Sequence, residues 1–390
     1  MNLPQIDSTA NIEDQKTEER ENIIKFIHAS DIHLGAHQFR NDERANDFIY
    51  AFKEILALAK FHSVDFIILA GDVFTSLEIL PEKLNIIVDL LKKFIQITSG
   101  QIPIIAIEGN HDIRKFSRGA KVNHGQSWLK FLNKLGLIIL LDADLESDSD
   151  KIYKNYNHET RKGGKCVINN ISIYGNHYIG QNPVDYIPKI YDAIDENDNY
   201  KILIQHFGIK GQMENVPGIK YKDVLPLKKK IDYLALGHFH KQFTIESWIF
   251  NPGSSEAACS VDSSYKRGIF LTKINLKKKN NPEIKSIHLR NREHIWKHFH
   301  LKFPFKNPKS LAIYLIHELE SVLNNSQNNH LTHKRAHPIL YLRLTGLKPY
   351  NFSKKYKSAL RTQLMDYLNL VDVKIYQKFE EPFRKIDIFI

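Results

Sequence analysis

Six short runs of β-branched and apolar residues constrain the fold more than any other feature of this chain. They are IIKFIHAS (23–30), VDFIILA (64–70), IPIIAIE (102–108), ISIYG (171–175), KILIQHF (201–207) and IDYLALG (231–237). Apolar runs without polar alternation are typical of strands that are buried on both faces. Amphipathic patterns between them predict helices at about 41–62, 81–99 and 124–135. The alternation of strands and helices predicts a layered α/β domain.

A second pattern begins near residue 293. The apolar segments HFHLKF, PILYLRLTGL and VDVKIYQKF alternate with helices predicted at 309–323 and 353–369. This β-α-β-α-β order, with its own apolar faces, indicates a small separate domain. We therefore expect a flexible polar tail at 1–22, a large domain at 23–292 and a small domain at 293–390.

The charge is divided unevenly along the chain. Residues 1–150 contain 16 Lys and Arg against 23 Asp and Glu, whereas residues 151–390 contain 39 against 21. A basic second half suggests a polyanionic partner such as DNA, because Lys and Arg that neutralise phosphates release condensed counterions. A solvated lysine-rich surface would explain the charge alone equally well.

Several classes of protein are excluded by composition. The two cysteines, Cys166 and Cys259, are too few and too far apart for a disulfide framework or a zinc ribbon, so any metal must be held by His, Asp, Asn or Glu. No apolar run is long enough to cross a bilayer, and the first residues are too polar and acidic for a signal peptide. We expect a soluble intracellular protein with no membrane association.

Metal-competent side chains follow the predicted strands in order. They are Asp31 and His33 in SDIHLG, Asp72 in AGDVF, Asn110 and His111 in GNHD, His206 in QHFG, and His238 and His240 in GHFH. An open α/β sheet gathers its ligand site beyond the carboxyl ends of its strands, so these loops are expected to converge. Each motif alone is weak, since Asp-x-His or Gly-Asp is usually a turn, but the ordered series is a much stronger signal.

Even seven of these eight side chains would be too many ligands for one ion with an open position, so two ions are predicted. A pair held roughly 3.5–4 Å apart polarises a phosphoryl oxygen and generates a hydroxide for in-line attack. Oxygen and imidazole ligands without thiolate suit manganese, iron or zinc.

The ordered motifs D-x-H, G-D, G-N-H-D, H and G-H-x-H resemble those of the calcineurin-like metallophosphoesterases. FIHASDIHLG, IEGNHD, LGHFHK and NPGSSE are similar, more narrowly, to the archaeal-like DNA double-strand-break repair nucleases of the SbcD and Mre-eleven type. The resemblance covers about residues 23–295. It implies a two-sheet α/β sandwich, followed at 293–390 by a smaller α+β DNA-capping domain.

The resemblance also implies roles for individual residues. One manganese would be held by Asp31, His33, Asp72 and His240, and the other by Asp72, Asn110, His206 and His238. Asp72 would then bridge the two ions. His111 would face the scissile phosphate and act as a general acid or stabilise charge.

By the same resemblance, the function would be manganese-dependent endonuclease and 3′–5′ exonuclease cleavage of DNA double-strand ends and hairpins. Iron or zinc could replace manganese. The partners would be DNA, an ABC-type coiled-coil ATPase and a second copy of the chain. The protein would be cytoplasmic and nucleoid-associated in a prokaryote, or nuclear in a eukaryote. The alternatives are a small-nucleotide phosphodiesterase or phosphatase, and a DNA-end-binding scaffold with weakened exonuclease activity.

Two positions depart from the ordered series. Thr75 stands where relatives of this family carry His or Asp, and threonine supplies neither charge nor a titrating proton at neutral pH. We expect exonuclease activity to be weakened, with Thr75 as a candidate phosphate contact. A second Gly-Asn-His, at 175–177, falls where the family has no ligand. We expect a turn there, with His177 or Tyr178 as a candidate DNA contact.

Overall fold

The computed structural model describes residues 22–113, 126–180, 182–278, 281–327 and 335–380, which fall into two compact units. The first unit comprises the residues up to Ala36 together with Phe48–Leu289, and the second comprises His37–Asp47 with Arg290–Ile390. The first 21 residues of the predicted tail lie outside the described residues. No helix within the described ranges is long and apolar enough to cross a membrane.

The first unit contains two six-stranded mixed sheets. The first sheet has the order β12-β11-β1-β2-β3-β4, in which β1 to β4 are parallel and β11 and β12 are antiparallel additions. Its strands are β1 (Ile23–Ala29), β2 (Phe66–Ala70), β3 (Ile104–Ile107), β4 (Ile139–Leu140), β11 (Gly268–Asn275) and β12 (Glu283–His288).

The second sheet has the order β5-β6-β7-β8-β10-β9, with parallel strands in the middle and an antiparallel strand at each edge. Its strands are β5 (Lys165–Ile168), β6 (Ile171–Gly175), β7 (Tyr200–His206), β8 (Tyr233–Gly237), β9 (Phe243–Ile245) and β10 (Ile249–Asn251). The six predicted runs all contain central strands, because these strands are buried on both faces.

The two sheets of the first unit pack face to face. One apolar cluster joins Phe26 and Phe66 of the first sheet to Ile202, Ile204 and Tyr233 of the second. The opposite face of each sheet is covered by its own apolar cluster, which includes helical residues. This arrangement confirms the predicted two-sheet α/β sandwich.

Three helices of the first unit lie at the predicted positions, with one correction, and three short ones were not predicted. They are α1 (Asp42–Phe61), α2 (Pro81–Ile97), α3 (Trp128–Lys134), α4 (Ser149–Ile152), α5 (Ile187–Ala193) and α6 (Tyr221–Val224), with 3-10 turns at Pro183–Tyr186, Leu225–Lys229 and Asp262–Ser264. Helix α3 begins at Trp128 rather than near 124, because the Ser127 hydroxyl accepts a hydrogen bond from Leu129 N (3.1 Å) and so caps the first turn. The first six residues of α1 group with the second unit.

The second unit has the expected β-α-β-α-β order. Its elements are β13 (Arg292–Leu301), α7 (Pro308–Gln327), β14 (Arg335–Gly346), α8 (Lys354–Leu368) and β15 (Asp372–Phe379), with a 3-10 turn at Gln38–Arg40. The three strands are parallel, with β14 in the centre, and helices α7 and α8 cover one face of the sheet. Strand β13 begins six residues before the predicted segment.

A buried ion pair joins the two chain segments of the second unit. The guanidinium of Arg292 donates to both oxygens of Asp47, at 2.7 and 3.0 Å, and to the main-chain oxygen of His337 at 2.7 Å. Arg44 contacts the same Asp47 carboxylate. This pairing explains why His37–Asp47 groups with Arg290–Ile390, which the pattern of apolar runs does not indicate.

Candidate metal centre

The predicted ligands lie on loops at the carboxyl ends of parallel strands. Asp31 and His33 follow β1, Asp72 follows β2, and Asn110 and His111 follow β3; His206 ends β7, and His238 and His240 follow β8. Parallel neighbours place their carboxyl ends at one edge of a sheet, and the two sheets pack face to face. Five loops therefore meet at one edge of the sandwich.

The structure gathers six of these residues into two potential metal-binding groups. One group contains Asp31, His33 and His240, and the other contains Asp72, His206 and His238. Within each group the candidate ligand atoms lie within 4.8 Å of one another. Four of the six, Asp31, His33, Asp72 and His206, are buried, so water does not compete freely for their ligand atoms, whereas His238 and His240 are partly exposed.

In the first group, two imidazole nitrogens face each other. Nε2 of His33 lies 3.1 Å from Nε2 of His240, and the latter lies 3.7 Å from Oδ1 of Asp31. On the far side of the ring, Nδ1 of His240 lies 2.8 Å from Oδ2 of Asp262. A carboxylate in this position keeps a proton on Nδ1 and directs the Nε2 lone pair into the site.

In the second group, Nδ1 of His206 donates to the main-chain oxygen of Ala70 at 2.7 Å. Its Nε2 therefore points into the site, 3.2 Å from Oδ2 of Asp72. Nδ1 of His238 lies 2.9 Å from Oδ1 of Asn110, so the predicted asparagine joins this group.

Two buried nitrogens test whether a metal fits. Within the described part of the chain, Nδ1 of His33 has no hydrogen-bond partner, and Nε2 of His206 makes no hydrogen bond of regular geometry although Oδ2 of Asp72 lies 3.2 Å away. A buried polar nitrogen without a partner costs free energy, and a bound cation would remove that cost. The donor set of imidazole nitrogens and carboxylate or amide oxygens also suits a divalent transition metal. The residues present therefore fit the predicted ions.

Burial is the largest influence on the imidazoles, and it opposes their charged form. Burial lowers the pKa of His33 to about 3 and that of His238 to about 4. Both rings are therefore neutral at pH 7. Neutral imidazole is the form that ligates metals.

The other two imidazoles face buried carboxylates. For His206 the negative charge of Asp72 outweighs burial and raises the pKa to about 9. For His240 the hydrogen bond to Asp262 and the charge of Asp31 do the same, and the pKa rises to about 9. Both positions favour positive charge, which a metal ion supplies in place of a proton.

The backbone around the ligands adopts conformations that are rare for these residue types. Asp31, His33, Asp72 and His238 all have positive φ, between 49° and 84°. Such conformations cost about 1–3 kcal/mol each and persist where the surrounding structure enforces them. Close packing at Gly109 contributes, because a Cβ there would lie 2.2 Å from Oδ1 of Asp72.

The position of His111 next to both groups is fixed by its backbone and its ring. Its main-chain N donates to Oδ1 of Asp72 at 2.7 Å, and its Nδ1 lies 3.0 Å from the main-chain oxygen of Thr75. The ring centroid is 5.1 Å from that of His33. The adjacent Asp112 is buried and accepts hydrogen bonds from three main-chain N–H groups, so it fixes the turn.

The second Gly-Asn-His lies outside both potential metal-binding groups. Asn176 is buried and contacts Gln205 (2.5 Å) and Tyr153 (3.4 Å). Nδ1 of His177 lies 2.6 Å from Oδ1 of Asp142, and this hydrogen bond raises the pKa of His177.

One residue near the metal-binding groups, Asp262, escaped the sequence interpretation, whereas Tyr178 was predicted there as a candidate DNA contact. Asp262 orients His240, and Tyr178 lies with its ring centroid 6.1 Å from His206 and 6.0 Å from His238. An Asp in the serine-rich loop 260–264 looks like an ordinary turn residue. Tyr178 follows the second Gly-Asn-His directly, and its place after a strand was the one available signal.

Comparisons with known proteins identify the family of this chain. The family model described as "Calcineurin-like phosphoesterase" matches residues 24–242. The chain is 28% identical over 217 residues to the "DNA double-strand break repair protein Mre11" of Archaeoglobus fulgidus, covering 56% of this chain and 46% of that one. It is 26% identical over 223 residues to the protein of that name from Saccharolobus solfataricus, covering 57% and 51%.

A third relative of the same name, from Methanococcus maripaludis, is 29% identical over 227 residues, covering 56% of this chain and 52% of that one. The chain thus matches about half the length of each of these relatives. The matched family region contains every predicted ligand and His111. The chain belongs to the calcineurin-like phosphoesterase family.

Proposed function

We propose that this chain is a metal-dependent nuclease that cleaves phosphodiester bonds at DNA double-strand ends. The observation that carries the proposal is the convergence of two potential metal-binding groups with His111 beside both. The family match supports phosphoester hydrolysis, and the names of the relatives support DNA repair.

The proposed ions are two Mn²⁺. Asp31, His33 and His240 would hold one ion, and Asn110, His206 and His238 the other, with Asp72 between them. When bound, the ions supply Lewis-acid activation of a phosphoryl oxygen and of the attacking water.

The proposed role of His111 follows from its hydrogen bonds. The Thr75 carbonyl holds a proton on Nδ1, which leaves Nε2 to face the substrate. A protonated Nε2 would donate to the departing 3′ oxygen, and a neutral one could not. The Asp72 carboxylate accepts from the main-chain N of His111, so the same side chain positions both His206 and the acid.

DNA is favoured as the substrate by the charge of the second unit. Residues 290–390 contain 18 Lys and Arg against 8 Asp and Glu. Such an excess attracts a phosphate backbone, and the binding weakens steeply as salt is added. We propose that this unit, which includes the small domain predicted at 293–390, caps the DNA. Thr75 and His177 are proposed contacts of the DNA backbone.

We extend the proposal to assembly with a second copy and with an ABC-type coiled-coil ATPase, as the family resemblance implies. Exposed apolar side chains on or next to α2 and α3 support the dimer; they are Leu80, Ile86, Phe131 and Leu135. Ile86→Glu should shift the protein from dimer to monomer in light scattering. Val167→Glu changes an equally apolar exposed position on β5 and should leave the dimer intact.

The decisive experiment uses labelled blunt duplex and hairpin DNA with the purified chain, in manganese and in EDTA. Cleavage in manganese that disappears in EDTA and in His111→Ala supports the nuclease. Hydrolysis of a small nucleotide ester but not of DNA would favour the small-nucleotide phosphodiesterase. DNA binding without any metal-dependent cleavage would favour an end-binding scaffold.

A further inference from the structure

One face of the sheet in the second unit lies away from α7 and α8 and is aromatic, and Phe39 packs against Tyr341 on this face. Along β13 the side chains alternate, so that Ile295, Phe299 and Leu301 pack against the helices while Trp296, His298 and His300 point to the other side. In the strand register, Trp296 of β13 lies opposite Tyr341 of β14. His298 of β13 lies opposite Arg343 of β14, which in turn lies opposite Tyr376 of β15. We call the outward positions 294–300, 341–345 and 374–378 the open sheet face.

Aromatic rings on the open sheet face lie nearly parallel. The ring of Trp296 stacks on Tyr341 with a centroid distance of 4.6 Å and an interplanar angle of 16°. Tyr376 lies 5.6 Å from Trp296 at 15°, and His294 lies 5.7 Å from Tyr341 at 10°. Trp296 is 46% exposed and Tyr376 is 41% exposed, whereas Tyr341 beneath them is buried.

Such exposure distinguishes these rings from core residues. A solvent-exposed tryptophan aligned with two tyrosines keeps apolar surface in water at a cost, unless a ligand covers it. The apolar core of the unit lies on the opposite face of the sheet, where Leu340, Leu342 and Leu344 pack against α7 and α8. The aromatic ladder is therefore not needed to hold the helices.

Basic side chains flank the rings. Arg343 and Lys378 are exposed on the open sheet face, and Lys374 lies over the ring of Phe39 at 4.0 Å from its centroid. The outward positions at 296–300, 341–345 and 374–378 carry no carboxylate, and just beyond them Oε1 of Glu380 lies 4.0 Å from Nε2 of His300. The face thus offers aromatic planes with positive charge beside them.

We propose that the open sheet face binds single-stranded DNA, with unpaired bases stacking on Trp296 and Tyr376 and phosphates contacting Arg343 and Lys378. Base planes continue a stack of near-parallel rings, and every base has such a plane, so the binding is tolerant of sequence. Paired bases in a duplex are already stacked on their neighbours and cannot reach the rings. The choice of DNA rather than another nucleic acid rests on the proposed function. The inference that bases stack on this face rests only on the exposure and geometry of the rings.

The test measures binding without cleavage. Anisotropy of a fluorescent oligothymidylate is recorded with the full chain in EDTA, so that no metal-dependent hydrolysis takes part. Trp296→Ala and Tyr376→Ala should each weaken binding by roughly 5- to 150-fold, which corresponds to the loss of one stacked base. Trp296→Phe should restore most of the affinity. Tyr367→Ala removes a tyrosine that is more exposed but lies on α8, and should bind as the parent does.

Two further measurements sharpen the test. Stacking of a base should quench the emission of Trp296, and the Trp296→Phe variant should lose that quenching although Trp128 and Trp248 remain. Arg343→Ala should lower the slope of log affinity against log salt by about 0.7, the contribution of one phosphate contact on a single strand.

The proposal is overturned if Trp296→Ala binds oligothymidylate as the parent does, or if Tyr367→Ala weakens binding equally. Equal competition by a blunt duplex would overturn base stacking, and tighter binding of oligouridylate would overturn the assignment to DNA. A chain that cleaves DNA but fails this test contradicts this inference alone. A chain that binds the oligonucleotide without cleaving any DNA contradicts the nuclease alone.

Discussion

Nδ1 of His111 lies 3.0 Å from the main-chain carbonyl oxygen of Thr75, so a backbone atom sets the orientation of the proposed catalytic imidazole. A carbonyl oxygen only accepts, and the ring must therefore donate from Nδ1. The Thr75 side chain is not part of this hydrogen bond. The orientation of His111 does not depend on which side chain occupies position 75.

His111→Ala should lower metal-dependent DNA cleavage by about 10²–10⁴-fold, the usual contribution of a positioned general acid. Thr75→Ala is the comparison, because it keeps the carbonyl that orients the ring and removes only the hydroxyl proposed to contact the DNA backbone, so cleavage should fall much less than in His111→Ala. Cleavage rates of labelled hairpin DNA in manganese measure both. Equal losses in the two variants would contradict the assigned roles.

Thr75→His should raise exonuclease activity relative to endonuclease activity. An imidazole at this position can donate to a DNA phosphate with positive charge, which the threonine hydroxyl cannot supply. The ratio is measured on one duplex that carries both a recessed end and an internal hairpin. An unchanged ratio would show that position 75 does not limit the exonuclease reaction.

Asp262→Asn should weaken metal binding by about 10–100-fold, the usual effect of losing a carboxylate behind a ligating imidazole. The amide carries no charge to hold the proton on Nδ1 of His240, which lies 2.8 Å from the carboxylate. Calorimetric titration with manganese gives the affinity. Asp148→Asn, at the exposed residue just before α4, should titrate as the parent does.

Asp47→Ala should destabilise the second unit by about 3–5 kcal/mol, because it removes the buried carboxylate that pairs with Arg292 and Arg44. The free energy of unfolding is obtained from urea titration followed by circular dichroism. Asp366→Ala, at an exposed position on α8, should change it by less than about 0.5 kcal/mol. A small effect of Asp47→Ala would mean that the attraction within the buried pair does little more than offset the free-energy cost of removing its charges from water.

Stability should fall as the pH drops from about 6.5 to about 3, in part because of His28. Burial lowers the pKa of this histidine to about 3, and its ring nitrogens lie 3.0 Å from Tyr233 Oη and 3.1 Å from Leu236 O. In this window the unfolded chain binds a proton that the folded chain excludes, so the free energy of unfolding falls by up to about 1.4 kcal/mol per pH unit.

The melting temperature of His28→Gln should therefore depend less steeply on pH between about 6.5 and about 3. Glutamine keeps a donor for the Leu236 carbonyl and does not titrate. A parallel shift of both curves, with unchanged slope, would mean that other groups cause the acid sensitivity.

Much of the fold was predictable because the central strands are buried on both faces. Ile67, Ile105 and Ile204 lie in runs that have no alternating polar residues to face water, and all three side chains are buried. Helix α1 agrees with its predicted bounds within one residue at each end. The ligand loops were predictable for a related reason. Parallel strands place their carboxyl ends together, so order along the chain indicated proximity in space.

The remaining features depend on tertiary contacts that leave no local pattern. Positive φ at Asp31 and Asp72 is imposed by packing and contradicts the preference of these residues. Asp262 becomes a partner of His240 only when the loops meet. Trp296 lies in an alternating strand, and the alternation does not tell whether its outward side meets protein, water or a ligand.

The second unit is assembled from segments that the ribosome delivers far apart in time. Asp47 is synthesised 245 residues before Arg292, so its carboxylate has no Arg292 guanidinium to meet until 292 of the 390 residues have been made. Strand β13, which begins at Arg292, and then β14 and β15 complete the unit last. A chain cut between residues 292 and 293 would place Arg292 and Asp47 on one fragment and the sheet on another. A fragment that starts at residue 293 would therefore lack both Asp47 and Arg292 and could not form the complete unit.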